Sequence, residues 1–226
     1  MSTGDDKVLN IYYEHYKDTF TLSKEAQICR NKNFVILCVL EAISALMIYN
    51  PNLICEVLND VVTKELEITI RIGNSIIQSL IWMVIAFVLV RYVQDSLYVE
   101  RQYGYIGKLE KRISLQMRES GENDLFCREG DAYLDNYPMV LNIIDLFYKL
   151  FCPILFTVIN IAHIIAELRV GSTRMLLICD IATCTAIIII TWFYFFQIHP
   201  RITSWAMKCP PIKAVAETLR KWLKEV

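Results

Sequence analysis

Glycine and proline are scarce in this chain, with only 7 and 6 among 226 residues. Both residues mark turns and interrupt helices, so their scarcity predicts long helices with few breaks rather than a protein of strands and turns. The chain also lacks an excess of positive or negative charge: its formal net charge is −1 at pH 7. This balance gives no indication of a nucleic-acid partner.

Motifs for catalysis and metal binding are also missing. There is no H-E-x-x-H, no G-x-S-x-G, and no Gly-Asp motif paired with a second intramembrane Asp. The Gly104–Lys108 stretch superficially resembles a phosphate-binding loop, but it lacks the preceding strand and the spacing. The 8 cysteines form no C-x-x-C pair and have no histidine at ligand spacing. We therefore expect no enzymatic activity, no cofactor and no metal.

Hydrophobic residues make up 55% of the chain and are concentrated in four blocks, Phe34–Tyr49, Ser75–Val93, Leu146–Ala166 and Met175–Ile198. A helix needs about 20 residues to cross the hydrocarbon core of a bilayer. The last three blocks reach this length, and the first gains a turn if it extends back through Asn31–Asn33. A soluble helical bundle is the alternative, but Ala186–Phe196 is apolar around its whole circumference apart from one threonine. The predicted fold class is all-α, a four-helix transmembrane bundle with N-terminal, middle and C-terminal cytoplasmic helical segments.

Lysine and arginine alternate in abundance between the segments that flank these blocks. The N-terminal segment has five, the first loop two, the middle loop six, the third loop two and the C-terminal tail six. Because positively charged segments stay in the cytoplasm, this order predicts a multi-pass protein of the cell inner membrane with both termini cytoplasmic. Cys55 is then the cysteine expected to react from outside the cell.

The predicted organisation has five parts. They are an N-terminal amphipathic cytoplasmic helix (1–33), transmembrane helices 1 and 2 (34–93) with an outer loop (50–74), a cytoplasmic helical region (94–145), transmembrane helices 3 and 4 (146–199), and a basic amphipathic cytoplasmic tail (200–226). The N-terminal segment has no helix breaker before the first span, and the second span continues without a break towards Ser120-Gly121. Both are therefore expected to run on as long helices. The outer loop is predicted to form a helix that lies on the membrane surface or caps the bundle.

Aromatic and arginine side chains are frequent in the two cytoplasmic segments. The expected regulatory face consists of Tyr12, Tyr16, Arg101, Tyr103 and Tyr105, on segments that we predict to pack together. A helix lying on the membrane surface remains the alternative for the N-terminal segment.

We single out four polar residues inside the predicted spans, all placed in the outer half of the bilayer by the predicted topology. They are Glu41, Asn160, His163 and Asp180. Ionisable groups at this depth are costly, so they usually face the interior of a bundle or a water-filled path. Two interpretations stay open: a hydrogen-bonded cluster within one subunit, or the lining of a central pore in an oligomer. For the pore we single out Glu41, the deepest acidic side chain.

Several short phrases carry a resemblance to a known group of proteins. They are Tyr16-Lys17-Asp18-Thr19-Phe20, Arg30-Asn31-Lys32, Arg101-Gln102-Tyr103-Gly104-Tyr105-Ile106, and Arg128-Glu129-Gly130 followed by Tyr137-Pro138. With the layout of the spans, they resemble small bacterial four-helix membrane proteins of anti-phage defence operons, in particular the membrane effector of Hailong-type systems. The resemblance spans most of the chain, and none of the phrases is a catalytic signature.

The resemblance implies a function as well as a fold. It implies a homo-oligomeric channel, with a tetramer favoured, that a cytoplasmic nucleotidyltransferase or its oligonucleotide product holds closed. We therefore expect an oligomeric ion channel or membrane-permeabilising effector gated through its cytoplasmic face. The alternative is a non-conducting membrane anchor or scaffold that recruits a soluble partner.

Overall fold

The computed structural model describes residues 3–66, 73–118, 147–170 and 174–198, together with Ser204 and Lys208. Its helices are α1 (Thr3–Tyr49), α2 (Pro51–Leu66), α3 (Asn74–Arg118), α4 (Cys152–Val170), which follows a π-helical turn at Phe147–Phe151, and α5 (Arg174–Ile198). No strand occurs within these ranges. Helices α1, α3, α4 and α5 are each long and apolar enough to cross a membrane. The all-helical class and the four candidate spans of a multi-pass membrane protein are thus confirmed.

The predicted helix continuities are found in α1 and α3. Helix α1 has 47 residues and α3 has 45. At about 1.5 Å per residue, each is roughly 70 Å long, about twice the thickness of the hydrocarbon core. The predicted helix end at Ser120-Gly121, the return segment 128–138 and nearly all of the tail 200–226 lie outside the described residues.

Helices α1 and α3 pack antiparallel along their length, and three contacts fix their register. The Tyr16 hydroxyl donates to Glu110 Oε1 at 3.1 Å, and Asn33 Nδ2 donates to Asp95 Oδ2 at 2.8 Å. The rings of Phe34 and Tyr92 lie 5.5 Å apart. The buried side chains of α1 recur at steps of three and four residues, as in a coiled coil; they include Thr19, Ser23, Leu37, Glu41 and Ser44.

Helices α4 and α5 join this pair at one end only. The Phe34 ring lies 6.5 Å from that of Phe156 near the start of α4, and the Tyr92 ring lies 5.6 Å from that of Tyr194 near the end of α5. Residues 33–49, 74–94 and the two shorter helices therefore form the membrane bundle. Residues 3–32 and 95–118 continue beyond it as a two-helix extension, called the stalk below.

Helix α2 folds back against the end of the bundle opposite the stalk. Asn50 separates it from α1, and its Oδ1 accepts a hydrogen bond from Leu53 N at 3.4 Å. Pro51 then occupies the first helical position, where its missing N–H is not needed. Cys55 is buried against Met47 and Ile77, and this burial raises the pKa of its thiol.

The burial of Cys55 changes how the topology is best tested, since a buried thiol with a raised pKa reacts slowly. Exposed Lys64 on α2 and exposed Lys24 on the stalk are better positions for cysteine probes. We expect an impermeant maleimide to label Lys64→Cys in intact cells and Lys24→Cys only after permeabilisation, with labelled peptides located by mass spectrometry. Labelling of Lys24→Cys in intact cells would invert the predicted orientation. Cys55 should react only after denaturation.

Candidate intramembrane polar site

The four polar side chains that sequence analysis singled out in the spans turn towards the interior of the membrane bundle. Glu41, His163 and Asp180 are each 2% exposed, and Asn160 is 1% exposed. On α4, Asn160, His163 and Glu167 follow one another at steps of three and four residues, which places them on one helix face. The remaining polar partners come from α3, which contacts α1, α4 and α5.

Glu41 and Asn160 connect α1 to α4. Asn160 Nδ2 donates to Glu41 Oε1 at 2.9 Å and to the carbonyl oxygen of Phe156 at 2.8 Å. Cys184 of α5 lies beside this contact, with its Sγ 3.5 Å from the carbonyl oxygen of Asn160. Glu41, Asn160 and Cys184 thus form one layer of the bundle, called the layer of Glu41 below. The carboxyl group of Glu41 therefore meets an uncharged amide rather than a lysine or an arginine.

His163 connects α4 to α3 through Gln78. The Gln78 Nε2 atom lies 3.0 Å from His163 Nδ1 and 3.1 Å from Glu167 Oε2. Because a carboxylate oxygen accepts, the NH₂ group of Gln78 faces both residues, and Nδ1 of His163 acts as an acceptor. This arrangement favours the neutral tautomer of His163 with its proton on Nε2. The ring of Trp82 packs 4.7 Å from the His163 ring.

Asp180 connects α5 to α3 through Ser79. The Ser79 Oγ atom lies 2.8 Å from Asp180 Oδ2 and 2.9 Å from the carbonyl oxygen of Ser75. A hydroxyl group carries one proton, so it donates to one of these acceptors at a time. Asp180 is thus held at the α3–α5 contact and not in the layer of Glu41.

The structure brings only two of the four predicted residues into direct contact. Glu41 and Asn160 are hydrogen-bonded, whereas His163 and Asp180 each bond to a residue of α3 that sequence analysis did not include. Gln78 and Ser79 were missed because uncharged polar residues are tolerated in spans and carry little signal. Their position as adjacent polar residues in an apolar block, at the same end as Asp180, was the available clue.

The predicted regulatory residues lie on the stalk, where the two segments pack together. Tyr16 bonds to Glu110, and Tyr105 bonds through its hydroxyl to His15 Nε2 at 2.8 Å. His15 was not among the predicted residues, although it neighbours Tyr16 in the aromatic segment. The other three differ in exposure: Tyr12 is half-buried, whereas Arg101 and Tyr103 are exposed.

No metal centre is formed by the described residues, since no group of three or more histidine, cysteine, aspartate or glutamate side chains is placed to hold an ion. Comparisons of the chain with protein-family models, with curated proteins and with solved structures found no match. The site is therefore interpreted from its own geometry.

The Glu41–Asn160 contact predicts a measurable loss of stability when its donor is removed. Asn160→Leu keeps the branched shape and the number of heavy atoms but leaves both oxygens of a buried carboxyl group without a protein donor. We expect the free energy of unfolding in mixed micelles to fall by about 1–3 kcal/mol. Thr185→Val is the matched control, because the exposed Thr185 hydroxyl bonds only to Ile181 O of its own helix. Equal effects of the two substitutions would contradict a stabilising role for the contact.

Proposed function

We propose that this protein is an oligomeric ion channel or membrane-permeabilising effector of the bacterial inner membrane, gated through a cytoplasmic stalk. The observation that carries the proposal is the burial of the Glu41 carboxyl group inside the membrane bundle with Asn160 as its hydrogen-bond donor. A carboxyl group in such surroundings costs several kcal/mol unless it is neutralised, hydrated or paired. A second amide would join α1 to α4 at lower cost, so the acidic group indicates a role in moving cations or protons.

The arrangement of the bundle corresponds in this proposal to a closed state. The level of Glu41 is filled by a buried apolar cluster that includes Leu37, Trp82, Ile85 and Ile187. Conduction then requires α1 to move relative to α4, so that the Glu41 carboxyl group leaves Asn160 and meets water or a cation. An oligomer in which α1 approaches the symmetry axis would align these carboxyl groups in a ring.

The stalk supports gating because α1 and α3 each run unbroken from the stalk into the membrane bundle. A partner that shifts one stalk helix against the other would transmit the displacement along these helices to Glu41 and Gln78. The hydrogen bonds of Tyr16 with Glu110 and of His15 with Tyr105 are partly exposed, so a modest binding energy is enough to alter them. The cytoplasmic side of the stalk, a tetramer, a role in anti-phage defence, and a nucleotidyltransferase or oligonucleotide as regulator rest on the resemblance and on the distribution of positive charge.

A non-conducting membrane anchor or scaffold is the second candidate, and a specific observation favours it. The described polar groups Glu41, His163 and Asp180 all have hydrogen-bond partners within one subunit, which is enough to join helices. The stalk would then serve as the docking site for a soluble protein, with exposed aromatic residues such as Tyr98 and Tyr105 as contacts.

Conductance of the purified protein in a planar bilayer separates the two candidates. For a channel, we expect Glu41→Gln to lower cation conductance several-fold, because the charge is lost while the acceptor for Asn160 is kept. Asp180→Asn is the matched control: it makes the same change at the α3–α5 contact and should have a smaller effect. The oligomeric state of each variant is checked by size-exclusion chromatography with light scattering.

Three results are informative in this experiment. A native protein without conductance favours the scaffold. A Glu41→Gln variant with native conductance and selectivity removes Glu41 from the path and leaves only its structural role. Equal losses in Glu41→Gln and Asp180→Asn would indicate a general effect of acidic groups in the bundle rather than a path through Glu41.

The stalk contact of Tyr16 predicts a change in gating. Tyr16→Phe removes the hydroxyl that donates to Glu110, a contribution of about 1 kcal/mol, which alters a two-state equilibrium by about fivefold. We therefore expect the open probability in planar bilayers to change by up to about fivefold while membrane insertion is unaffected. Tyr98→Phe makes the same substitution at an exposed position and should leave the open probability unchanged. No difference between the two variants would remove the regulatory role of this contact.

A further inference from the structure

Three polar atoms at the centre of the bundle have no hydrogen-bond partner within the described part of the chain. They are Glu41 Oε2, Ser44 Oγ and Trp82 Nε1. The three side chains are between 0% and 2% exposed. An unpaired polar atom in such surroundings typically costs about 1–3 kcal/mol, so native proteins rarely leave one unsatisfied. Three in one region indicate a shared partner.

The packing of the helices brings these three atoms to one junction. Ser44 follows Glu41 by one turn and lies on the same buried face of α1. The contact between Phe34 and Tyr92 sets the antiparallel register of α1 and α3. Ten residues forward along α1 and ten residues back along α3, this register places Ser44 opposite Trp82. Trp82 in turn packs on His163, which lies one turn from Asn160, the donor to Glu41. The junction is therefore formed by α1, α3 and α4.

The chemistry of the three atoms identifies the class of ligand. An indole N–H only donates, a carboxylate oxygen only accepts, and a hydroxyl group does both. A cation would face the positive end of the indole N–H, and an anion would face the carboxylate. A ligand that satisfies all three must both accept and donate and must fit between buried side chains. Water has these properties, and buried waters typically make about three hydrogen bonds.

We propose that a water molecule is bound at the α1–α3–α4 junction, where it accepts from Trp82 Nε1–H, donates to Glu41 Oε2 and bonds to Ser44 Oγ. Asn160 bonds to the other oxygen of Glu41, and Gln78 and His163 bond to each other beside Trp82, so further polar groups lie next to this site. The site gives the second oxygen of Glu41 a solvent partner inside a closed bundle. This inference rests on unpaired atoms and helix register and holds whether or not the protein conducts ions.

Solid-state NMR of the full-length protein in lipid bilayers tests the site directly. With ¹⁵N-labelled tryptophan, magnetisation transfer from water should reach the Trp82 Nε1–H signal, which is assigned by its loss in Trp82→Phe. Ser44→Val replaces the hydroxyl by a methyl group and adds a second methyl group that would fill the water site, so it should reduce the transfer by more than half. Ala42→Val adds bulk on the exposed face of the same helix and should leave the transfer unchanged.

Two results would overturn the inference. One is a Trp82 Nε1–H signal without transfer from water in the native protein, as expected for a direct bond to Glu41. The other is transfer that stays at the native level in Ser44→Val. If Ser44→Val does not fold, Ser44→Ala takes its place, with a reduced transfer expected because one partner of the water is lost. Conductance of the same samples keeps the two proposals apart: the water signal without conductance removes only the proposed function, and conductance without the signal removes only the water site.

Discussion

The hydrocarbon core of a bilayer offers no hydrogen bonds, and this constraint determines how the four spanning helices are arranged. A buried polar side chain is stabilised by a partner on its own helix, as Thr191 is by the carbonyl oxygen of Ile187, or by one on a neighbouring helix. Glu41 with Asn160 joins α1 to α4, Gln78 with His163 joins α3 to α4, and Ser79 with Asp180 joins α3 to α5. These three contacts are enough to link all four helices and to fix the rotation of each about its axis.

Apolar packing completes what the polar contacts begin. Once the polar faces meet, apolar side chains such as Leu37, Trp82 and Ile85 close the interior, and other apolar residues, some of them large, are left on the outside. The outward residues include Val39, Met83, Phe87, Val158 and Ile189, all of which are exposed in the isolated chain. Such a surface suits lipid or a second copy of the chain. The bundle therefore places its few ionisable groups inside an apolar core and presents an apolar exterior, unlike a soluble domain, whose exterior is polar.

The stalk combines a buried apolar seam, which includes Val99, Ile106 and Ile113 of α3, with hydrogen bonds that lie near water. Hydrogen bonds such as those of Tyr16 with Glu110 and His15 with Tyr105 compete with solvent and contribute little individually. The stalk helices are nevertheless continuous with the helices that carry Glu41 and Gln78. An element whose hydrogen bonds partly compete with water, and which continues into the helices of the bundle, is suited to regulation, and this is the physical basis of the proposed gating. The exposed aromatic residues of the stalk would equally let a scaffold bind its partner.

The sequence by itself determined the helical class, the candidate spans and the continuity of α1 and α3, because hydropathy and the absence of breakers act locally along the chain. It also predicted that Glu41, Asn160, His163 and Asp180 turn inward, since a polar side chain in a span has no other favourable direction. Only the tertiary structure decided which of these side chains contact one another. The pairing of His163 with Gln78, and the burial of Cys55 beneath α2, depend on the rotation and register of helices distant in sequence, and these follow from packing that no local pattern encodes.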